Sequence, residues 1–95
     1  MTKEEIELQI SDLLNHVKLI IMDRHERHGD STKIHQSIAD MMAMFVDSKF
    51  DINHVFAHNI LTKVTRLMTG SGKKEHIEDI IGYAILWNIH MDKNK

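Results

Sequence analysis

The sequence predicts an all-α protein, a four-helix bundle, from three observations. The chain of 95 residues contains no proline and four glycines, so little in it interrupts a helix. Its apolar residues recur at intervals of three and four, which is the period of one helix face. Three short polar or glycine-containing segments separate four such stretches, as in bundles with short connections. We therefore expect a single domain over residues 1–95, without strands.

The first predicted helix begins at Thr2, which forms a capping box with Glu5. It runs to about Arg27 and ends in a left-handed cap at Gly29. Polar residues at 30–32 can cap the second helix. The residues expected to face inward are Ile6, Ile10, Leu13, Leu14, Val17 and Ile20 or Ile21 on the first helix, and Ile34, Ile38, Met41, Met42, Phe45 and Val46 on the second.

A turn at residues 48–50 leads to the third helix, for which Asp51 is the expected N-cap. Gly70-Ser71-Gly72 follows the third helix, and the fourth runs from Lys73 to the charged tail at residues 92–95. The residues expected to face inward are Ile52, Val55, Phe56, Ile60, Val64 and Leu67 on the third helix, and Ile77, Ile80, Ile81, Ala84, Ile85, Trp87 and Ile89 on the fourth.

Composition restricts the compartment and the partners. The chain has no cysteine, which excludes a disulfide framework and a thiolate zinc site. A net charge of -2 excludes a broadly basic nucleic-acid surface, so nothing indicates a DNA or RNA partner. No apolar run approaches a membrane span, and residues 1–7 are acidic rather than typical of a signal peptide. We expect a soluble cytoplasmic protein without a membrane partner.

Self-association is also expected. A chain of this length buries a thin core. Apolar residues remain beyond what four short stripes in one copy can cover, among them Leu19, Leu86, Trp87 and Met91. The sequence therefore predicts a homo-oligomer that completes the bundle.

The third helix carries an amide and two cations on one face. Asn59, Lys63 and Arg66 stand at i, i+4 and i+7 beside the apolar stripe. A phosphate group suits that face. In the alternative interpretation, the two cations lie along the solvent side with their stems on the core.

The fourth helix places His76, Asp79 and Tyr83 at i, i+3 and i+7 around Gly82. Glycine inside a helix costs about 1 kcal/mol relative to alanine, which suggests that another helix or a ligand comes close. A packing contact between helices, without a ligand, would explain Gly82 equally.

The junction between the first two helices, residues 24–30, is dense in charge. Arg24 can bind phosphate or carboxylate oxygens through two N–H groups, and His28 can donate or accept a hydrogen bond. Alternatively, these cations belong to a solvated helix end and complement its dipole.

His54 and His58 have a spacing that can chelate zinc, but no HExxH motif or cysteine pair completes a ligand set. The sequence also lacks a GxSxG elbow and a GxxxxGK phosphate loop. No catalytic residue is therefore assigned.

Four motifs together resemble a family of small phage and prophage proteins, which is itself similar to the MazG-like all-α nucleoside triphosphate pyrophosphohydrolases. The likeness covers residues 24–86, about two thirds of the chain. The motifs are Arg24-x-x-x-His28-Gly29-Asp30, Ile38-Ala39, Ile60-Leu61-x-Lys63-x-x-Arg66 and Asp79-Ile80-Ile81-Gly82-Tyr83-Ala84.

The resemblance implies a self-associating bundle that holds a nucleotide between helices, with Asp79 where the superfamily has a magnesium-binding aspartate. Active members carry Glu-Glu-x-x-Glu on the second helix, where this chain has only Asp40, and Glu-x-x-Asp on a later helix, where it has His76-x-x-Asp79. Glu75, Glu78 and Asp40 could partly substitute, but of the two glutamates only Glu75 shares a face with Asp79. Magnesium prefers several oxygen ligands, so this reduced set favours binding over hydrolysis.

Three hypotheses follow for function. The first is a viral accessory or anti-defence protein in the host-cell cytoplasm that sequesters a phosphorylated nucleotide or a nucleotide-derived signalling molecule, without a cofactor. The second is a magnesium-dependent nucleoside triphosphate pyrophosphohydrolase, with Mg²⁺ held by Asp79 and Glu75. The third is a helical protein-interaction module without a small ligand. The residues expected to bind the ligand are Arg24, His28, Asn59, Lys63, Arg66 and Tyr83.

Overall fold

A computed structural model describes residues 1–70 and 72–93 of the chain. It contains four α-helices, and no strand occurs in those residues, which confirms the all-α class. Ser71 of the predicted glycine connection, and positions 94 and 95 of the predicted tail, lie outside the described residues. The helices are α1 (Lys3–His28), α2 (Ser31–Phe45), α3 (Ile52–Thr69) and α4 (Lys74–Lys93).

The helix ends lie close to the residues that the sequence indicates. The Thr2 side chain accepts a hydrogen bond from the Glu5 backbone N–H at 3.1 Å. Gly29 ends α1 with φ = 84°, a backbone angle that favours glycine. Asp30 is the residue that caps α2, since its carboxylate accepts from the Thr32 N–H. Asp51 caps α3 in a reciprocal capping box with His54.

Helix α4 is the central element, because it packs against each of the other three helices. Its main partner is α3, which also packs against α2. The rings of Phe56 on α3 and Trp87 on α4 stack with centroids 6.0 Å apart. The core at this end of the molecule consists of Ala39, Ile52, Val55 and Phe56, with Leu86 and Trp87 packed against it.

The predicted inward face of α2 is wrong. Ile34, Ile38, Met41, Phe45 and Val46 are exposed, and Met42 is half-buried. The buried residues of α2 are instead His35 and Ala39. The His35 ring stacks on Phe56 of α3 with centroids 4.3 Å apart. Aromatic stacking and polar contacts thus select this face, and the more apolar stripe of the helix stays uncovered.

The other helices also depart from a single inward stripe. On α1, Val17 is buried, but the stripe is exposed farther towards the N-terminus. On α4, packing on several sides buries His76, Glu78 and Gly82. The predicted inward residues that are exposed are Ile6, Ile10 and Leu14 on α1, Val64 on α3, and Ile77, Ala84 and Ile89 on α4.

None of the helices in the described part of the chain has the length and apolar character needed to span a membrane.

Candidate functional site

A pocket of about 210 Å³ lies between α1, α2 and α4, and we call it the α1–α2–α4 pocket. Aliphatic side chains supply most of its interior, while charged and polar groups come from the C-terminal end of α1, the start of α2 and one side of α4. The lining residues are Val17, Ile20, Ile21, Arg24, His25, His28 and Gly29, then Ser31, Ile34 and His35, and finally Glu78, Asp79, Gly82, Tyr83 and Leu86.

Asp79 joins two cations from different helices. Its Oδ1 lies 3.1 Å from Nη2 of Arg24, and its Oδ2 lies 3.0 Å from Nζ of Lys63. Asp79 and Lys63 are largely buried, whereas the Arg24 side chain is 53% exposed. Two cations and one carboxylate leave this triad with a net charge of +1. The arrangement fixes the Arg24 guanidinium at the edge of the pocket.

A second polar cluster surrounds His35, which is buried. Its Nδ1 lies 2.7 Å from the Ser31 carbonyl oxygen, which can only accept, so Nδ1 donates. Its Nε2 lies 2.9 Å from Nδ2 of Asn59, which donates to it. The ring also meets Tyr83 edge to face, with centroids 5.9 Å apart. This pattern fits a neutral imidazole, and it fixes the Tyr83 side of the pocket.

The structure brings some of the predicted ligand-binding residues together and separates others. Arg24, His28 and Tyr83 line one pocket with Asp79. Asn59 and Lys63 lie behind it, where they hydrogen-bond His35 and pair with Asp79. Arg66 is exposed, and its side chain makes no ion pair within residues 1–70 and 72–93.

The predicted face of Asn59, Lys63 and Arg66 therefore does not form one continuous site in this structure. The alternative interpretation, two solvent-facing cations, fits Arg66, which is exposed, and not Lys63, whose side chain is only 18% exposed. Gly82 is buried beside Val17 and Ile21 of α1, so another helix does lie next to it. An added Cβ would be 3.9 Å from those side chains, so this approach does not itself require glycine.

Glu75 and Asp79, the predicted metal ligands, border a second hollow outside the first. Asp23 and Glu78 also line it, and Arg24 lies between the two hollows. Both oxygens of Asp79 face cations, and Glu78 Oε2 contacts Nε2 of His16. Within the described ranges, no three histidine or carboxylate side chains come together as a metal site would need. This arrangement fits ion pairing better than magnesium, and Mg²⁺ binding stays a prediction.

Sequence reasoning did not identify His35 and Ser31 as part of this region, and it considered Glu78 only as a partial substitute for a metal ligand. One pattern could have indicated His35: together with Ala39 and Met42 it stands at i, i+4 and i+7. The small residue on that face is Ala39, which leaves room for α3 to approach. For Glu78, nothing local in the sequence predicts its contact with His16, because the two residues lie on different helices.

Comparison with known proteins gives one family and no individual relative. No curated protein and no solved structure matches the chain. A family model described as a domain of unknown function, DUF6378, matches residues 12–90. This range contains the α1–α2–α4 pocket and the ion-paired triad, and it covers most of the 95 residues. The chain belongs to the DUF6378 family.

Proposed function

We propose that this protein binds a phosphorylated ligand with a planar ring, of the nucleotide class, in the α1–α2–α4 pocket and holds it without converting it. The observation that carries the proposal is the combination, in one cavity, of an aliphatic interior with Arg24 and two histidines at its polar end. Ligand sites typically combine apolar walls with a few placed polar groups.

Arg24 is the residue best suited to bind phosphate. A guanidinium has five N–H donors, and one of those on Arg24 is given to Asp79. The remaining donors belong to a half-exposed group whose orientation that bond already fixes. Charge-assisted hydrogen bonds from arginine to phosphate are among the stronger polar contacts in proteins. His25 and His28, on the same end of α1, add donors to the same edge of the pocket.

The interior suits a ring rather than a whole nucleotide. The volume of about 210 Å³ is below the roughly 300–1,000 Å³ of pockets for drug-sized ligands. Tyr83 supplies an aromatic ring next to aliphatic side chains, and flat ring systems pack well on such surfaces. A base would therefore enter the pocket, while the sugar and phosphates would stay at its mouth beside Arg24.

Lys63 and Asn59 act indirectly in this proposal. Lys63 holds Asp79, which orients Arg24, and Asn59 holds His35, which borders Tyr83. They are positioning residues for the pocket. Arg66, which lies outside the pocket lining, has no part in it.

Binding without turnover is the mode that the ion pairs support. Hydrolysis of a triphosphate depends on metal ions that offset phosphoryl charge. Both oxygens of Asp79, the carboxylate expected to hold the metal, are engaged by cations. The role of a viral accessory protein that sequesters a nucleotide signal is part of the proposal, and it rests on the resemblance of the motifs alone.

Isothermal titration with a panel of nucleotides, run with and without magnesium, tests the proposal. We expect magnesium-independent binding of at least one nucleotide, with no product detected by chromatography. Affinity that requires magnesium would indicate the hydrolase instead. Absence of heat with every nucleotide would contradict the proposal and favour an interaction module.

A matched pair of arginine variants locates the site. Arg24→Ala should weaken binding by about 30-fold or more, as truncation of a charge-assisted ligand contact costs about 2–5 kcal/mol. Arg27→Ala removes the same charge three residues later, from a side chain that is 70% exposed and pairs with Asp23. The control should bind as the parent does, and equal losses in the two variants would exclude the pocket.

A further inference from the structure

The first half of α1 has an apolar face that no part of residues 1–70 and 72–93 covers. Helix α1 has 26 residues, which corresponds to a length of about 39 Å. Its main contact is with α4, which covers the helix around Val17 and Ile21. Residues 1–12 are all exposed. We call Ile6, Ile10 and Leu14 the α1 stripe.

The α1 stripe continues the face that packs on α4. Ile6, Ile10 and Leu14 stand four residues apart, and Val17, which is 1% exposed, follows three residues later on the same side. The same side of the helix is thus buried beside Gly82 of α4 and exposed farther towards the N-terminus of α1. Ile10 and Leu14 are 52% and 49% exposed. This stripe has the pattern of a packed surface, and no packing partner for it lies among the residues that the structure describes.

Helix α2 has a second uncovered face. Ile34, Ile38, Met41 and Phe45 stand at i, i+4, i+7 and i+11, and we call them the α2 stripe. They lie beside the buried face that carries His35 and Ala39. All four are exposed, and Phe45 is 78% exposed.

The whole molecule exposes more surface than a packed domain of its mass. Its accessible surface is 7297 Å², compared with roughly 5,700 Å² for a folded monomer of this mass. Its radius of gyration is 15.3 Å, where about 12 Å is typical of this length. The surface excess, roughly 1,600 Å², is larger than the roughly 800 Å² that each partner buries in a standard interface.

We infer that a second copy of this chain covers these faces, with the α1 stripe of each copy packed on the α2 stripe of the other. A two-fold interface is self-complementary, so two different uncovered faces on one chain can satisfy each other reciprocally. Charge favours a contact of α1 with α2 of the other copy over a contact between the two α1 helices. Residues 3–12 carry one lysine and four carboxylates, whereas α2 carries one lysine and one aspartate. This inference does not depend on the proposed ligand pocket.

Light scattering after gel filtration, at micromolar concentrations, tests the inference. The parent should have twice the mass of the 11.1 kDa chain. Ile10→Asp should weaken self-association roughly tenfold or more, because it places a charge in an apolar contact. Its helical circular dichroism should persist, since the side chain is already half exposed. A monomeric parent at every concentration would overturn the inference.

Leu8→Asp is the matched control. Leu8 is also apolar and is 63% exposed, but a displacement of two residues turns it roughly 200° from Ile10, away from the stripe. This variant should stay dimeric. If it dissociates as much as Ile10→Asp does, the α1 stripe is not the contact surface.

Mixing two variants tests which faces meet. The Met41→Asp variant should lose as much self-association as the Ile10→Asp variant, because Met41 belongs to the α2 stripe. The two variants are combined at a concentration where each alone is monomeric. One copy then still offers an intact α1 stripe and the other an intact α2 stripe. The mixture should therefore recover part of the dimer signal. A mixture that remains monomeric would overturn the pairing of α1 with α2.

Discussion

Lys63 of α3 and Asp79 of α4 form an ion pair of 3.0 Å in which both side chains are largely withdrawn from solvent. The side chains are 18% and 11% exposed, so neither charge is well hydrated. The pair connects the two helices that form the main contact of the fold. Because Asp79 also binds Arg24, the same contact sets the charge at the edge of the pocket.

Lys63→Met is expected to lower the free energy of unfolding by about 1–3 kcal/mol. Removal of one partner of a fully buried pair costs about 3–5 kcal/mol, and here Arg24 still compensates part of the Asp79 charge. Arg66→Ala, on the exposed side of the same helix, should change it by no more than about 0.5 kcal/mol. Urea denaturation of both variants measures the difference. Equal stabilities would show that the ion pair contributes nothing to the fold.

This prediction revises the one that residue spacing alone supports. From the sequence, Lys63 and Arg66 are equivalent cations on one helix face. The structure distinguishes them, because only Lys63 meets a carboxylate from another helix. Helical periodicity describes which residues share a face. It contains no information about the partner that the face meets.

The helices themselves follow from local chemistry. Thr2, Asp30 and Asp51 cap them, and Gly29 ends α1, through contacts within a few residues of the chain. The buried faces depend on tertiary packing, which the sequence indicates less directly. Helix α2 turns a histidine and an alanine inward because Phe56 and Asn59 of α3 receive His35. The more apolar side of α2, the side that periodicity selects, remains outside.

Part of the candidate site was also predictable. Arg24, His28, Asp79 and Tyr83 belong to motifs visible in the sequence, and they line one pocket. His35 was not predicted, although its spacing from Ala39 and Met42 was a local signal, because its polar partner Asn59 lies on another helix. The contact of Glu78 with His16 had no local signal, since those two residues also lie on different helices.

Asn59→Ala is expected to destabilise the protein by about 1–2 kcal/mol, because it removes the donor to the buried Nε2 of His35 and leaves that atom unsatisfied. The double variant His35→Phe with Asn59→Leu replaces both polar groups with apolar ones. It should recover part of the loss, since exchange of both partners avoids the unsatisfied atom. A double-mutant cycle from thermal unfolding gives the coupling free energy between His35 and Asn59. Strictly additive losses would contradict the hydrogen bond.

The N-cap of α3 gives a prediction about pH. Desolvation alone would raise the pKa of the Asp51 carboxyl, but hydrogen bonds from the backbone N–H groups of His54 and Asn53, together with the adjacent His54 ring, lower that pKa below its ordinary value of 3.8. A lowered folded-state pKa means that the charged cap stabilises the fold above that ordinary value and loses this contribution as the pH falls through the folded-state pKa.

Asp51→Ala should therefore cost about 1 kcal/mol near neutral pH, the usual value of an N-cap. The difference from the parent should shrink in strong acid, below pH ~4. Asp51→Asn keeps a capping oxygen but cannot titrate. The difference in stability between Asp51→Asn and Asp51→Ala should therefore not shrink below pH ~4. Urea unfolding over a pH series measures all three proteins, and a parallel acid loss in the asparagine variant would assign the effect to another group.

A larger side chain at position 82 would occupy part of the α1–α2–α4 pocket, because Gly82 lines it. An added Cβ there would lie 3.9 Å from side-chain atoms of Val17 and Ile21, which is ordinary van der Waals contact. Gly82→Ala should thus be neutral, or stabilising by up to about 1 kcal/mol through helix propensity. Gly82→Leu should cost about 1–3 kcal/mol by overpacking against α1.

Because Gly82 lines the α1–α2–α4 pocket, the leucine should also reduce nucleotide binding in titration calorimetry more than the alanine does. Leu86, which lines the same pocket one turn later, offers the opposite change. Leu86→Ala enlarges the cavity, lowers stability by about 2–5 kcal/mol as large-to-small core changes do, and should leave room for the ring. Folded Gly82→Leu protein that binds nucleotide with the parent's affinity would exclude this cavity as the binding site.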